Sequence, residues 1–367
     1  LRGKLMNNKK PGTLASYLEI NRKRIGPGFP VYLVAEMSAN HNRDFQQAVR
    51  ILEAAREAGA DAVKLQTYTA DTITIPADSE PFRLSTGTLW DGRTLYELYQ
   101  EACMPWEWQP ELKRIADSLG LDLFSSAFDP SAVDFLEEMG VPAHKVASFE
   151  LVDLPLIAKM AATGKPLIIS CGMATLGEIE EAVLTARRAG GEQIALLKCT
   201  SAYPAPPEEM HLKTIPHLAK HFGVAVGLSD HTLGIAAPVA AVTLGACIVE
   251  KHFTLSRALP GPDSSFSLEP QEFKAMAEAI RTVEKALGEV HYAVSEHEAK
   301  SLPFRRSLFV VKDMKAGEVF TGESVRSIRP AAGLPPKHLP EVLGRRAAQD
   351  IPRGTPLKWD LVGSPET

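Results

Sequence analysis

The chain has 367 residues, 45% hydrophobic and 23% charged, with a formal charge of -5. This is globular composition with room for a large core and a smaller module, so two domains are expected. The acidic balance without a long basic run excludes a nucleic-acid surface, and no apolar stretch is long enough to span a bilayer.

Residues 1–10 carry four Lys or Arg but lack the apolar core of a signal peptide, and residues 1–29 are read as an N-terminal extension of a cytoplasmic protein. From V-Y-L-V-A-E-M at residues 31–37 onward, one unit recurs: amphipathic helix, glycine stop, short apolar strand, polar loop. Glycine fits the stop because the residue after a helix often adopts a left-handed conformation that a side chain penalises. Apolar strands follow Gly59, Gly120, Gly140, Gly164, Gly191, Gly223 and Gly245, making eight with the first. Their continuous Val, Ile, Leu and Ala runs indicate burial on both faces, hence a parallel sheet wrapped by helices. The helices carry their own start signals, such as Thr175 with Glu178 three residues later. Eight such units predict an α/β TIM (β/α)8 barrel over residues 30–285. A doubly wound open sheet is the alternative, but no G-x-G-x-x-G follows the first strand.

One connection, residues 67–108, is too long for a standard barrel loop. Its aromatics, Trp90, Tyr96, Tyr99, Trp106 and Trp108, favour an ordered lid. Cys103, Cys171, Cys199 and Cys247 are read as reduced thiols, the last three serving as small buried hydrophobes. Residues 286–302 form a polar linker. Beyond it, D-M-K-A-G-E-V-F at Asp313 is echoed by D-I-P-R-G-T-P-L at Asp350, which predicts a small pseudo-symmetric β-rich module over residues 303–367. So small a module has little core of its own and is expected to dock on another surface.

The downstream strand ends of a parallel barrel form its catalytic mouth, and polar residues gather there. Glu36 closes the first strand and Lys64 with Gln66 the second. Ser125 and Ser126 close the third; Lys145, Ser148 and Glu150 the fourth; Ser170 the fifth. Thr200, Ser201 and Tyr203 follow the sixth, Ser229, Asp230 and His231 the seventh, and Glu250 and His252 the eighth. Two histidines on consecutive strand ends, with the carboxylates of Asp230 and Glu250 nearby, predict a divalent-metal site at His231 and His252. Lys64 and Lys145 lie within apolar runs, where an unpaired ammonium is costly. Together with the hydroxyls they predict a phosphorylated substrate. Ser125, beside Ser126, is read as a loop residue or helix cap.

The motifs A-E-M-S-A-N-H-N, V-K-L-Q-T-Y, K-V-A-S-F-E, I-I-S-C-G-M, L-K-C-T-S-A-Y-P, G-L-S-D-H-T-L-G and V-E-K-H-F-T-L followed by G-P-D closely resemble the sialic acid synthase family. The resemblance runs from about Gly26 to the C-terminal end. It implies condensation of phosphoenolpyruvate with an N-acetylated hexose to give a nine-carbon 2-keto sugar acid. It also implies an antifreeze-like (SAF) domain after the barrel, a divalent metal and a domain-swapped homodimer. By the same resemblance, His231 and His252 would be metal ligands, and Lys64, Ser126, Lys145, Ser148, Ser170 and Ser201 would meet phosphoenolpyruvate. Many relatives have Asn in place of Ser201. Gln66, Tyr203 and Asp263 would contact the sugar, Glu36 would sit near the reacting carbons, and Arg329 would reach the partner's site. A ligand set of two His with water and substrate oxygen suits Mn, Co or Mg better than a closed zinc site.

M-S-A-N-H-N with Arg43 in place of the usual glycine, the lid sequence, and G-P-D without a following histidine are most similar to the pseudaminate-forming branch. The acceptor implied is 2,4-diacetamido-2,4,6-trideoxy-altrose, with the neuraminate- and legionaminate-forming branches as alternatives. A non-catalytic sugar-binding or antifreeze-like protein would need neither the two lysines nor the two histidines. A Kdo-8-phosphate-type synthase would lack the C-terminal module.

Overall fold

The architecture comes from a computed structural model that describes residues 17–364 apart from 86, 88 and 89. Two units are present, Leu1–Gly288 and Glu289–Thr367, and each is described by itself.

Eight short apolar runs become eight parallel strands that close on themselves: β3 (Tyr32–Glu36), β4 (Ala62–Thr67), β5 (Asp122–Ala127), β6 (His144–Val146), β7 (Leu167–Ser170), β8 (Ile194–Cys199), β9 (Ala225–Asp230) and β10 (Ile248–His252). The expected barrel is therefore present. Helices α1 (Phe45–Glu57), α4 (Gln109–Ser118), α5 (Pro130–Met139), α6 (Leu154–Ala162), α7 (Leu176–Arg188), α8 (Thr214–Phe222), α9 (Ala236–Thr243) and α10 (Pro270–Leu287) follow the strands in turn. The predicted box at Thr175 and Glu178 caps α7 reciprocally, and Gly140 ends α5 at φ 73°.

One feature of the first unit departs from the sequence reading, and a second bears it out in part. The segment treated as an extension contains a hairpin, β1 (Leu18–Ile20) with β2 (Lys23–Ile25); residues 1–16 lie outside the described ones. Leu18, Ile20 and Ile25 are fully buried in the same cluster as Tyr32, Val34 and Phe124 of the barrel. Lys23 Nζ and Tyr32 Oη both reach Asp122 Oδ2, at 2.9 and 2.7 Å, so the hairpin is pinned at the upstream end of the strands, opposite the mouth.

The long connection after β4 is ordered around α2 (Ala70–Ile73) and α3 (Leu95–Ala102). Its aromatics divide by role. Trp106 and Trp108 pack on Phe135 and Phe45 as part of the helical layer, whereas Trp90 packs against Tyr203 with ring centroids 5.8 Å apart and donates its indole N–H to Pro262 O.

In the second unit, α11 (Glu296–Ala299) lies within the stretch read as linker, and β11 (Ser307–Val310) pairs antiparallel with β12 (Val325–Ile328). The echoed segments meet each other: Met314 and Ile351 exchange backbone hydrogen bonds at 2.9 and 2.8 Å. Leu308, Val310, Phe320, Val325 and Leu357 form a core around that junction. Among the described residues, no helix is long and apolar enough to cross a membrane.

Candidate active site

Parallel registration turns residues distant in sequence into neighbours at the mouth. Glu36 pairs across to Lys64, Gln66 to Ser126, and Ser126 to Lys145. Lys64 Nζ lies 2.8 Å from Glu36 Oε2, 3.2 Å from Ser126 Oγ and 3.6 Å from Glu250 Oε1, with all three charged side chains almost wholly buried. Gln66 Nε2 donates to Glu36 Oε1 at 2.9 Å and to Ser38 Oγ at 2.8 Å, while Ser229 Oγ donates to Glu250 Oε1 at 3.2 Å.

One ammonium thus faces two carboxylates. Burial pushes the Glu36 carboxyl well above the usual carboxylate range, Lys64 pulls against that, and the charge of Glu250 adds to it. Burial also acts on Glu250, but Lys145 and Lys64 outweigh it and hold that group ionised. Burial would deprotonate Lys64, yet Glu250 and Glu36 together keep its ammonium above its ordinary value.

Lys145 differs. Its ammonium is fully buried and donates to Ser170 Oγ at 2.7 Å and Val146 O at 2.9 Å, with no carboxylate in ion-pair contact among the described residues. Burial pulls it below its ordinary value, with Lys64 adding repulsion and Glu250 opposing. Beside it, Gly172 N donates to Ser148 Oγ at 3.1 Å. A Cβ on Gly172 would stand 2.2 Å from Ser201 Oγ and 2.7 Å from Ser148 Oγ, so the glycine lets both hydroxyls converge. A buried ammonium with hydroxyls nearby has the donors that an anion site needs.

The imidazoles of His231 and His252 lie with ring centroids 5.2 Å apart. His231 Nδ1–H donates to Thr200 O at 2.9 Å, which leaves Nε2 as the nitrogen available to a ligand. His252 Nδ1 is buried without a hydrogen-bond partner, 4.0 Å from Asp263 Oδ2. Burial, His231 and Lys64 hold His252 neutral; burial of His231 is outweighed by Cys199, the Thr200 carbonyl and Asp230. The Tyr203 ring lies tilted against His231 with centroids 4.4 Å apart, and Phe266 lies 5.0 Å from His252. Asp263 accepts from Ser38 Oγ and, at 3.4 Å, from Ala39 N. Among the described residues no group of three or more His, Cys, Asp or Glu side chains converges on a metal position. Two imidazoles on adjacent strand ends, His252 with an orphaned nitrogen, fit a divalent ion that draws its other ligands from substrate and water, and do not fit a closed structural site.

Glu36, Lys64, Gln66, Ser126 and Glu250 therefore share one network, Lys145 with Ser170 and Ser148 with Ser201 flank it, and Tyr203 and Asp263 adjoin the histidines. Three expectations are corrected. Asp230 does not face the histidines: its carboxylate is taken by Lys251 Nζ at 2.5 Å and by Thr232. Ser125 is neither loop nor cap but a buried strand residue whose hydroxyl meets Thr67 Oγ1 at 2.6 Å. Cys199 is more than a hydrophobe, since its Sγ lies 3.9 Å from His231 Nδ1 and 3.7 Å from Ser201 Oγ; burial raises the thiol, but His231 and the hydroxyls bring it down to about 7. Sequence reasoning also missed Ser38 and Gly172. Both sit inside quoted motifs, so their presence was visible and their contacts were not. Arg329 lies in the second unit, where it lines a cavity of about 800 Å³ with Tyr292, Phe304, Arg305 and Arg306.

Comparison with known proteins identifies relatives along most of the chain. The NeuB family matches residues 51–292 and the SAF domain residues 305–363. The chain is 46% identical to a pseudaminic acid synthase of Helicobacter pylori, covering 90% of this chain and 97% of that one. It is 44% identical to a pseudaminic acid synthase of Campylobacter jejuni, covering 89% and 95%. Among solved structures it resembles the spore coat polysaccharide biosynthesis protein SpsE of Bacillus subtilis, with a TM-score of 0.64, 34% identity and coverage of 95% and 100%. The chain belongs to the NeuB family of phosphoenolpyruvate-dependent nonulosonic acid synthases, with a SAF domain at its C-terminal end.

Proposed function

We propose that this synthase condenses phosphoenolpyruvate with 2,4-diacetamido-2,4,6-trideoxy-altrose and water to give pseudaminic acid and phosphate. Lys145 carries the phosphoenolpyruvate assignment: a wholly buried ammonium with only a hydroxyl and a carbonyl as partners is stabilised by a bound anion. The choice of sugar is supported by the identity to two pseudaminic acid synthases along about nine-tenths of the chain.

In the reaction, C3 of phosphoenolpyruvate bonds to the aldehyde carbon of the open-chain sugar, water adds at C2, and the C2–O bond to phosphate breaks. His231 and His252 would hold a divalent ion, Mn, Co or Mg, which when bound supplies Lewis acidity toward the aldehyde oxygen. Lys64 and Lys145, with Ser126, Ser148, Ser170 and Ser201, hold the carboxylate and phosphate and stabilise charge on the leaving group. Glu36, its carboxyl raised by burial and facing the same space, positions the attacking water and accepts its proton. Gln66, Tyr203 and Asp263 orient the sugar. The family resemblance supports a domain-swapped homodimer in which Arg329 reaches the partner's site; the nearly fully exposed Val290 and Tyr292 of the second unit support burial against another surface.

Purified protein given phosphoenolpyruvate, Mn and a panel of acceptors tests the proposal by mass spectrometry of the product. The diacetamido trideoxy-altrose should be used in preference to N-acetylmannosamine, because a site fitted to a deoxy carbon and a second amide leaves polar groups unpaired with the common sugar. Preference for N-acetylmannosamine, or for the manno isomer of the diacetamido sugar, would move the chain to the neuraminate- or legionaminate-forming branch.

A further inference from the structure

Behind the two histidines lies a buried ion pair that the reaction does not use. Strands β9 and β10 are registered so that Lys251 faces Asp230. The pair therefore occupies the position just before each histidine. Lys251 Nζ meets Asp230 Oδ2 at 2.5 Å, and both side chains are completely shielded from solvent. The same ammonium donates to the carbonyl of Thr232. Asp230 in turn accepts from Thr232 N and from Thr232 Oγ1, each at 3.0 Å.

These contacts close a ring. It ties together the residue before His231, the residue after it and the residue before His252. Because side chains alternate along a strand, Asp230 and Lys251 point away from the face that carries Ser229, Glu250 and His252, so neither touches the substrate space. Two apolar side chains of similar volume would fill this position without desolvating two charges, and a buried pair is weak grounds for stability alone. What the pair supplies that apolar packing would not is direction: paired charges and hydrogen bonds fix the offset between the two strand ends to within the tolerance of a bond.

We propose that Asp230 and Lys251 are positioning residues that set the separation of His231 and His252 and thereby the divalent-metal affinity of the site. The proposal rests on the assignment of these histidines as ligands. With two protein ligands and no third converging among the described residues, affinity depends strongly on how well the two are held before the ion arrives.

The test is Mn binding to the full-length protein without substrates, read from the electron paramagnetic resonance signal of free Mn. Native protein should bind Mn, and His231→Ala should not. The Asp230→Asn/Lys251→Met double variant, which removes both charges at similar volume, should keep its circular dichroism spectrum but bind Mn about 10- to 100-fold more weakly. Turnover should then return at saturating Mn. An affinity within about twofold of native would overturn the proposal; so would full Mn affinity with lost turnover, which would assign the pair a different role. Should the double variant misfold, Thr232→Val removes one hydroxyl of the ring and should weaken Mn binding by about threefold or more, given the usual strength of a single hydrogen bond. An unchanged affinity there also overturns it. Absence of His231-dependent Mn binding in native protein would instead refute the ligand assignment, and this inference with it.

Discussion

Replacing Lys64 with Met keeps much of the stem's volume and removes the charge shared by Glu36 and Glu250. The ammonium sits 2.8 Å from one carboxylate and 3.6 Å from the other in a wholly buried setting, so its removal leaves two like charges facing each other. Breaking a buried pair of this kind costs about 3–5 kcal/mol. The sign with pH is fixed. Without Lys64 both carboxyls move up, the unfolded chain ionises them near their ordinary values, and the folded chain resists, so the deficit widens as pH rises above about 4.5. Urea unfolding followed by tryptophan fluorescence reports mainly the first unit, which holds Trp90, Trp106 and Trp108. Lys64→Met should lower its midpoint at pH 8 far more than at pH 5. Adding Glu36→Gln should recover part of the loss, with a coupling of about 1–3 kcal/mol. Turnover should fall by about 100-fold or more, as when one donor to a developing charge is lost. Equal midpoints at pH 8, or strict additivity with Glu36→Gln, would refute the shared-ammonium reading.

Gly172→Ala should leave unfolding unchanged but displace the Ser148 and Ser201 hydroxyls, raising the KM for phosphoenolpyruvate and costing about 100-fold in kcat/KM; unaltered kinetics would remove these serines from the anion site. Burial pushes the Glu150 carboxyl up to about 7, so folding at higher pH withholds an ionisation that the unfolded chain makes freely. Glu150→Gln should therefore stabilise the protein by up to about 3 kcal/mol above pH 7 and by almost nothing at pH 4, and parallel pH profiles of native and variant would contradict it. Mixing Arg329→Ala chains with His231→Ala chains should restore part of the turnover each lacks, since one site of the heterodimer would combine an intact barrel with an intact arginine. No recovery despite demonstrated subunit exchange would place Arg329 outside the partner's site.

The barrel was legible because glycine stops and apolar runs repeat with a fixed beat, and the strand ends then named His231, His252, Lys64 and Lys145 directly. The hairpin at Leu18–Ile25 was not, because its strands have three residues each and its turn is Asn21–Arg22, both at positive φ, without the glycine that signals such turns. Asp230 was placed on the wrong face by counting proximity in sequence; alternation along β9 sets Ser229 and Asp230 on opposite sides, and Lys251 repeats this on β10. Ser125 and Ser126 divide in the same way, one toward Thr67 and one toward Lys64. The crowding at Gly172 has no local signal, since Ser148 and Ser201 reach it from the loops after β6 and β8 and only closure of the barrel brings them together.

The central claim is that Lys64, Lys145 and their hydroxyls hold a phosphate that departs by breaking its bond to C2 after water has added there. Phosphoenolpyruvate carrying 18O in the bridging position, turned over with the diacetamido trideoxy-altrose, tests it directly by mass spectrometry of both products. The account predicts that the label leaves in phosphate and that the keto oxygen of the sugar acid comes from water. Unlabelled phosphate, with 18O retained in the sugar acid before exchange, would mean cleavage at phosphorus and would contradict it.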